Sequence, residues 1–441
     1  RALLPQIHCI CGRPVPSARE VCAGICGSVF LQRQKSSSVQ RPNLLRHFFA
    51  PRLLFARAHA IISFKSARSA QSGERKMLIE KSKESMTSRE RVRRTFEFEK
   101  TDRVTIGYDT NPTIHTKFCR ALGLPDDDLE TMYRALGVDY RFIGAPYTGK
   151  QLYACPPDRR VDPLEGCIMR KVENESGYYW DFCDFPLKDA TDEMFDKFPV
   201  PDPNDFDYDA ALAQAKSYGG EYALFIGGAG TPDVLNSNGR IMGVEDVLCH
   251  LALGDEAALR FMRRRAEFQL GMMEKLLCKC KGYIDFVWLG EDLGTQIGPM
   301  ISLELYRERI KPIHTMFVDL AKSYNLPTLI HTCGSSSWAY EDFIGMGVRG
   351  VDTLQPEAVN MSPRYLAEHF GGRLNFRGCI STAGPLAYGT PEEVDAVCKD
   401  TLEVMMPVRG YHFAPTHQIQ DNTPVENLIA MYNAAHKYGR Y

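Results

Sequence analysis

The sequence has no uninterrupted apolar run of the roughly 18–20 residues that a helix needs to cross a bilayer. It also lacks a strong net charge: the formal value is -2 over 441 residues, which gives no reason to expect nucleic acid as a partner. The 14 cysteines follow no regular spacing. Because so long a chain can bury a large core, we interpret the cysteines as reduced thiols of a cytoplasmic protein rather than as disulfides.

The first 76 residues differ in composition from the rest of the chain. They hold 13 Lys and Arg residues against two acidic residues, Glu20 and Glu74. Three interpretations stay open: a non-native extension, which we favour, a transit or disordered segment, and a small metal module. The candidate ligands of that module are His8, Cys9, Cys11, Cys22 and Cys26. We expect order to begin at Met86 and the folded domain to span 86–441.

Strand and helix patterns alternate along this domain. Eight candidate strands begin near residues 104, 138, 222, 284, 326, 350, 374 and 411, and helical stretches separate most of them. Such alternation implies a parallel sheet, and eight units in about 350 residues predict a (β/α)8 TIM barrel. An open doubly wound sheet is the alternative, which the lack of Gly-x-Gly-x-x-Gly after an early strand weakens. Cys167–Val172 and Tyr178–Phe182 predict an inserted β-hairpin after the second strand.

Several helix starts can be predicted from capping residues. A Thr followed three positions later by Glu occurs at Thr87, Thr390 and Thr423, and each predicts a capped helix. Ser302 is expected to cap a further helix that is kinked near Pro312.

A His-x-Cys pair follows the apolar run that begins at Leu326. The run reads Leu-Pro-Thr-Leu-Ile and leads into His331, Thr332, Cys333 and a loop of Gly and Ser. Because strand side chains alternate, His331 and Cys333 point to the same face. Imidazole and thiolate are good zinc ligands. The alternative is a core histidine beside an inert buried cysteine, but the small residues that follow favour a loop at the mouth of a site.

Other polar side chains also follow predicted strands. In a TIM barrel the active site lies at the carboxyl ends of the strands, so these residues are expected to share one rim. They are Asp109, Glu291, Asp292, Gln355, Cys379 and His417.

From Ser88 to its end the chain resembles the uroporphyrinogen decarboxylase superfamily. The stretches that carry the resemblance are Arg89–Val104, Phe185–Leu187 with Phe198–Pro203, Gly294–Pro312, His331–Gly334, Gly389–Val394 and His417–Leu428. The resemblance implies a TIM barrel and one of two chemistries. One is the cofactor-free decarboxylation of uroporphyrinogen in haem (porphyrin) biosynthesis. The other is zinc-dependent methyl transfer between a methylated corrinoid and a thiol.

The decarboxylase motifs match this chain poorly. The arginine-rich loop of those enzymes is replaced by Tyr108–Pro112, and their catalytic Asp is missing from Ile143–Pro146. Their active-site Tyr falls near Asn236, whereas their late histidine matches His417. A substrate with eight carboxylates fits badly with a barrel mouth that lacks those arginines.

The methyltransferase motifs match at the His-x-Cys pair. The resemblance implies zinc bound by His331 and Cys333 and by a distant cysteine, for which this chain has no counterpart near Arg409. Cys379 or His417 could complete the site, with Glu291 as a possible oxygen ligand. No Asp-x-His-x-x-Gly corrinoid motif occurs, so a corrinoid would be carried on a partner protein.

These observations favour a zinc-dependent methyltransferase that moves a methyl group between a corrinoid and a thiol or small methylated substrate. A uroporphyrinogen decarboxylase and a non-catalytic ligand-binding barrel remain the alternatives. The expected metal ligands are His331, Cys333 and Cys379. The expected catalytic residues are His417, Glu291 and Asp109. The expected substrate-binding residues are Gln355, Asn236 and Asn422.

Overall fold

The structure of the chain is a computed structural model that describes residues 78–174 and 177–441. The strands, in chain order, are β1 (Thr105–Ile106), β2 (Tyr140–Phe142), β3 (Arg160–Val161), β4 (Ile168–Asn174), β5 (Gly177–Cys183), β6 (Ala223–Pro232), β7 (Phe286–Gly290), β8 (Thr328–His331), β9 (Gly350–Thr353), β10 (Asn375–Ile380) and β11 (Tyr411–Pro415). The expectations for residues 1–76 lie outside the described residues.

Eight of these strands form one parallel sheet, in the order β1-β11-β10-β9-β8-β7-β6-β2. Its two end strands meet, because the Asp139 N–H donates to the carbonyl oxygen of Ile106 across 3.0 Å. The predicted (β/α)8 TIM barrel is therefore confirmed. All eight predicted strands are present in the expected segments.

Helices connect the barrel strands and cover their outer face. They are α1 (Ser88–Phe96), α2 (Pro112–Leu122), α3 (Leu129–Leu136), α4 (Asp192–Lys197), α5 (Tyr208–Ser217), α6 (Val234–Met242), α7 (Val244–Leu253), α8 (Glu256–Lys279), α9 (Leu303–Leu305), α10 (Lys311–Ser323), α11 (Tyr340–Met346), α12 (Pro363–Phe370), α13 (Pro385–Tyr388), α14 (Pro391–Met405) and α15 (Val425–Tyr438). Among the described residues, no helix is long and apolar enough to cross a membrane.

The helix starts follow their capping residues with one exception. The Thr87 hydroxyl oxygen accepts the Glu90 N–H across 3.1 Å, and Thr390 forms a complete capping box with Glu393. The cap predicted at Thr423 is wrong. Here α15 begins after Pro424, and the buried Thr423 hydroxyl has no hydrogen-bond partner within the described chain.

The irregularity predicted near Pro312 is a π-helical turn. It spans Tyr306–Ile310 and joins α9 to α10, just before the proline. Proline has no N–H to donate to the preceding turn, so a wider turn at this point is physically reasonable. The Ser302 cap is confirmed, because its hydroxyl oxygen accepts the Leu305 N–H across 3.1 Å.

The predicted hairpin after the second barrel strand is confirmed. Strands β4 and β5 pair antiparallel, with Ile168 opposite Cys183 and Lys171 opposite Trp180. The short strand β3 adds a third antiparallel partner on the other side of β4.

The ordered chain begins before Met86, contrary to expectation. The Glu84 carboxylate lies 2.8 Å from the Arg103 guanidinium, and the Ser85 N–H donates to Asp102 across 2.7 Å. Residues 78–85 therefore belong to the barrel domain.

A buried histidine occupies the amino-terminal end of the barrel. His412 Nδ1 lies 2.7 Å from the Thr105 hydroxyl and 2.8 Å from that of Tyr140, while Nε2 faces Asn375 Oδ1 at 3.3 Å. The Phe96 ring packs on the imidazole with centroids 5.0 Å apart. Burial, and then the charge of a nearby arginine, lower the pKa of His412 to about 3. His412 is therefore neutral in the folded protein.

His412 should make the fold sensitive to mild acid. Its pKa is depressed on folding, so below about pH 6.5 the unfolded chain binds a proton that the folded chain does not. Stability therefore falls as pH decreases from about 6.5 towards 3. In the unaltered chain, the free energy of unfolding measured in urea should fall between pH 7 and pH 5. In His412→Gln this fall should be about 2 kcal/mol smaller. The matched control is His369→Gln, since His369 lies exposed on α12. An unchanged pH dependence in His412→Gln would contradict this assignment.

Candidate metal centre

The centre is built on the carboxyl end of β8. His331 is the last residue of that strand, and Cys333 follows in the loop. The Cys333 sulfur lies 3.6 Å from His331 Nε2, so the two ligand atoms face the same side as expected. His331 is buried and Cys333 is half-buried. The pair therefore lies at the mouth of the barrel and not in a sealed core.

A third candidate ligand comes from the loop after β11. The His417 ring meets that of His331 edge-on, with centroids 5.7 Å apart. Ligand atoms of His331, Cys333 and His417 all lie within 4.8 Å of one another. His417 is exposed, yet partial desolvation of its ring and the charge on His331 lower its pKa. A histidine that loses its proton readily is available as a neutral ligand.

The orientation of His331 is fixed by the neighbouring strand. His331 and Asp352 are in register across β8 and β9, and Nδ1–H donates to Asp352 Oδ2 across 2.8 Å. The Thr353 hydroxyl lies 2.7 Å from the same nitrogen. Burial opposes an imidazolium, but the hydrogen bond with Asp352 and the nearby Cys333 raise the pKa of His331 well above its usual value. The second nitrogen, Nε2, is left for Cys333 and His417.

Asp352 is itself held by Arg377 on β10. Arg377 Nη1 donates to Asp352 Oδ1 across 2.7 Å, and Nη2 contacts the Asp109 carboxylate. Burial alone would raise the pKa of Asp352, but the Arg377 charge lowers it to about 2. The carboxylate therefore stays charged at neutral pH.

Asp292 is a further carboxylate at the centre. Its Oδ1 accepts the Cys333 N–H across 2.8 Å and lies 3.8 Å from His331 Nε2. Its Oδ2 accepts from the Asn236 side chain across 2.8 Å. Asn236 therefore lies next to the centre, and its predicted role in substrate binding stays a prediction.

Glu291 faces away from the ligand atoms. Its two carboxylate oxygens accept the N–H groups of Val234 and Leu235, each across 2.8 Å, and His314 Nε2 lies 3.1 Å away. This wholly buried carboxyl group closes the amino end of α6, and burial raises its pKa to about 8 despite the two N–H groups. Of this acidic pair, Asp292 is the residue that contacts the centre, through the Cys333 N–H.

Cys379 lies apart from the cluster of ligand atoms. Gly378 and Cys379 have φ angles of 120° and 70°, which interrupt the regular alternation of β10. The cysteine lines a cavity together with Pro363 and Val397, on the helix side of the strand. Burial raises the pKa of its thiol. Of the two candidates for a third ligand, His417 lies with His331 and Cys333, and Cys379 does not belong to that cluster.

The remaining predicted residues lie near the mouth of the barrel. Gln355 Oε1 accepts the Gly334 N–H across 2.7 Å, so it supports the loop that carries Cys333. Asp109 pairs with Arg377. Asn422 is exposed in the turn before α15. Their proposed roles with substrate stay predictions.

Two buried charges behind His331 were not predicted from the sequence. Asp352 lies in Gly-Val-Asp-Thr and Arg377 in Asn-Phe-Arg-Gly, each within an otherwise buried strand. A charged residue in a buried strand is rare unless it is paired, and that was the available signal.

A comparison with protein families shows to which family the chain belongs. The family model described as uroporphyrinogen decarboxylase (URO-D) matches residues 208–438, more than half of the chain. The chain belongs to the uroporphyrinogen decarboxylase family. The matched segment contains His331, Cys333 and His417.

A solved structure supports the family fold. A methyltransferase from Methanosarcina mazei is 14% identical, with a TM-score of 0.55, over 80% of this chain and 99% of that chain. At this identity the likeness shows the fold alone. No curated protein sequence matches the chain.

The loop that carries Cys333 packs directly on the loop after β7. The Gly294 N–H donates to the Cys333 carbonyl oxygen across 3.2 Å, and a Cβ on Gly294 would lie 2.5 Å from the Ser335 nitrogen. We expect Gly294→Ala to lower the free energy of unfolding by about 2 kcal/mol or more, because one backbone must move. A Cβ on Gly298, in the same loop, meets nothing within 4 Å. Gly298→Ala should therefore change stability by less than about 0.5 kcal/mol in the same urea titration. Equal effects of the two substitutions would contradict the close packing of the loops.

Proposed function

We propose that this family member is an enzyme that binds zinc through His331, Cys333 and His417 and transfers a methyl group to a thiol. The observation that carries the proposal is the approach of the three ligand atoms to within 4.8 Å of one another. Family membership and the methyltransferase name of the Methanosarcina mazei neighbour support it.

The donor set fits zinc. Two imidazole nitrogens and one thiolate are ligands that zinc prefers, and three protein ligands leave a fourth position for a substrate. A metal-bound histidine commonly donates its other N–H to a carboxylate. His331 already has this arrangement, because Nδ1–H donates to Asp352 across 2.8 Å.

The chemistry proposed for the centre is activation of a thiol. Zinc bound here would lower the pKa of a substrate thiol and favour the thiolate at neutral pH. Asp292 Oδ1, 3.8 Å from His331 Nε2, is placed to accept the proton that the thiol loses. The sulfur would form a bond to the methyl carbon while the carbon's bond to the donor breaks, and the electron pair of that bond would stay with the donor. The donor is a methylated corrinoid on a partner protein or a small methylated substrate.

Decarboxylation of uroporphyrinogen is the second candidate, because the family model carries that description. The interior of the barrel argues against it. Arg377 already binds both Asp109 and Asp352, so it is not available to the carboxylates of a substrate. A non-catalytic binding barrel is the third candidate and would need no metal.

Metal analysis of substituted proteins tests the ligand set. Protein purified without chelator should contain about one zinc per chain, and Cys333→Ser and His417→Ala should lose it. Cys379→Ser is the matched control, because Cys379 lies outside the cluster, and it should retain the metal. Zinc content should fall as the pH is lowered, because protonated His331 and Cys333 cannot bind a metal. A zinc content that is the same in all three variants would rule out these ligands.

Incubation with the alternative substrate separates the two chemistries. Under anaerobic conditions we expect no conversion of uroporphyrinogen to its four-carboxylate product, measured by separating porphyrins according to carboxyl number. The reason is that Arg377, on β10, is already paired with Asp109 and Asp352. Efficient conversion would overturn the methyltransferase proposal.

A further inference from the structure

Arg377 is a buried arginine whose guanidinium is held on three sides. Nη1 donates to Asp352 across 2.7 Å, Nη2 contacts Asp109, and the guanidinium carbon lies 4.5 Å from the centroid of the Trp288 ring. Its side chain is 5% exposed, so solvent does not compete for these contacts. Carboxylates on two sides and an aromatic face on the third leave the group one orientation.

Arg377 also determines which oxygen of Asp352 is available to His331. Arg377 binds Oδ1, and the other oxygen, Oδ2, accepts the His331 Nδ1–H across 2.8 Å. A carboxylate held at both oxygens cannot rotate without losing a buried hydrogen bond, which is costly. Arg377 therefore fixes the orientation of Asp352, and Asp352 in turn fixes the orientation of the His331 imidazole ring.

We propose that Arg377 is a positioning residue for the metal centre. By holding Asp352 in place it keeps His331 Nδ1 on the carboxylate and directs Nε2 towards Cys333 and His417. The inference rests on the proposed zinc site. It extends that site across the barrel interior, because the connected groups lie on β8, β9 and β10 and, through Asp109, next to β1.

Arg377→Lys is the variant of choice. Lysine keeps the positive charge that buried Asp352 and half-buried Asp109 need, so we expect the fold to be retained, but it lacks the planar fork that binds both at once. Loss of an outer-shell partner typically weakens metal affinity 10–100-fold. Arg377 reaches the ligand His331 only through Asp352, so we expect an effect at the low end of this range. The dissociation constant for cobalt(II), titrated through its visible absorption, should increase about tenfold.

The matched control is Arg141→Lys. Arg141 is another buried arginine on a barrel strand, but it pairs with Glu130 and stacks on Tyr222 at 3.7 Å. Its loss should lower thermal stability and leave the cobalt affinity unchanged. If Arg377→Lys is folded and binds cobalt as tightly as the unaltered chain, the positioning role is wrong while the zinc site stands.

A second readout needs no metal. In the metal-free protein, the His331 Nδ1–H proton should give a downfield NMR signal typical of a strong hydrogen bond to a carboxylate. Arg377→Lys should shift or broaden this signal, and Arg141→Lys should not. If the unaltered chain binds no metal, the proposed function fails, but this signal still shows whether Arg377 positions His331. An identical signal in Arg377→Lys would overturn the inference.

Discussion

The hydrogen bond between His331 and Asp352 determines the geometry of the centre. Strands β8 and β9 bring the two residues into register, and the 2.8 Å contact occupies Nδ1. One nitrogen then remains as a ligand, and it faces the Cys333 sulfur at 3.6 Å. Without the carboxylate the ring could turn and either nitrogen could face the mouth. Orientation of a ligand before the metal arrives is what separates a binding site from a chance cluster.

Because Asp352 is buried, this arrangement depends on a positive charge close to it. An unpaired carboxylate in the barrel interior would be strongly destabilising, so Asp352 requires a cation nearby. Arg377 supplies it and is in turn shared with Asp109, which is the more exposed of the two acids. The charge of Arg377 is thus committed to two protein carboxylates. That is why we favour a small thiol or methylated substrate over a polycarboxylate.

Regular features of the sequence allowed much of this to be predicted. The strands follow from their apolar runs, and the common face of His331 and Cys333 follows from the two-residue period of a strand. The position of Cys379 could not be predicted, because its positive φ angle depends on packing around β10 and not on residue type. To predict which of Glu291 and Asp292 faces the centre, one must know the residue at which β7 ends. Sequence patterns locate the ends of strands least accurately.

Family and fold provide the scaffold, but one scaffold supports several chemistries, and the ligand set decides between them. X-ray absorption by zinc in the loaded protein therefore tests the central claim most directly. The account predicts one sulfur ligand at about 2.3 Å and two imidazole nitrogens at about 2.0 Å. The sulfur should be missing from any zinc that Cys333→Ser still binds. A chain that takes up no zinc, or a spectrum with the same sulfur in that variant, would contradict the account.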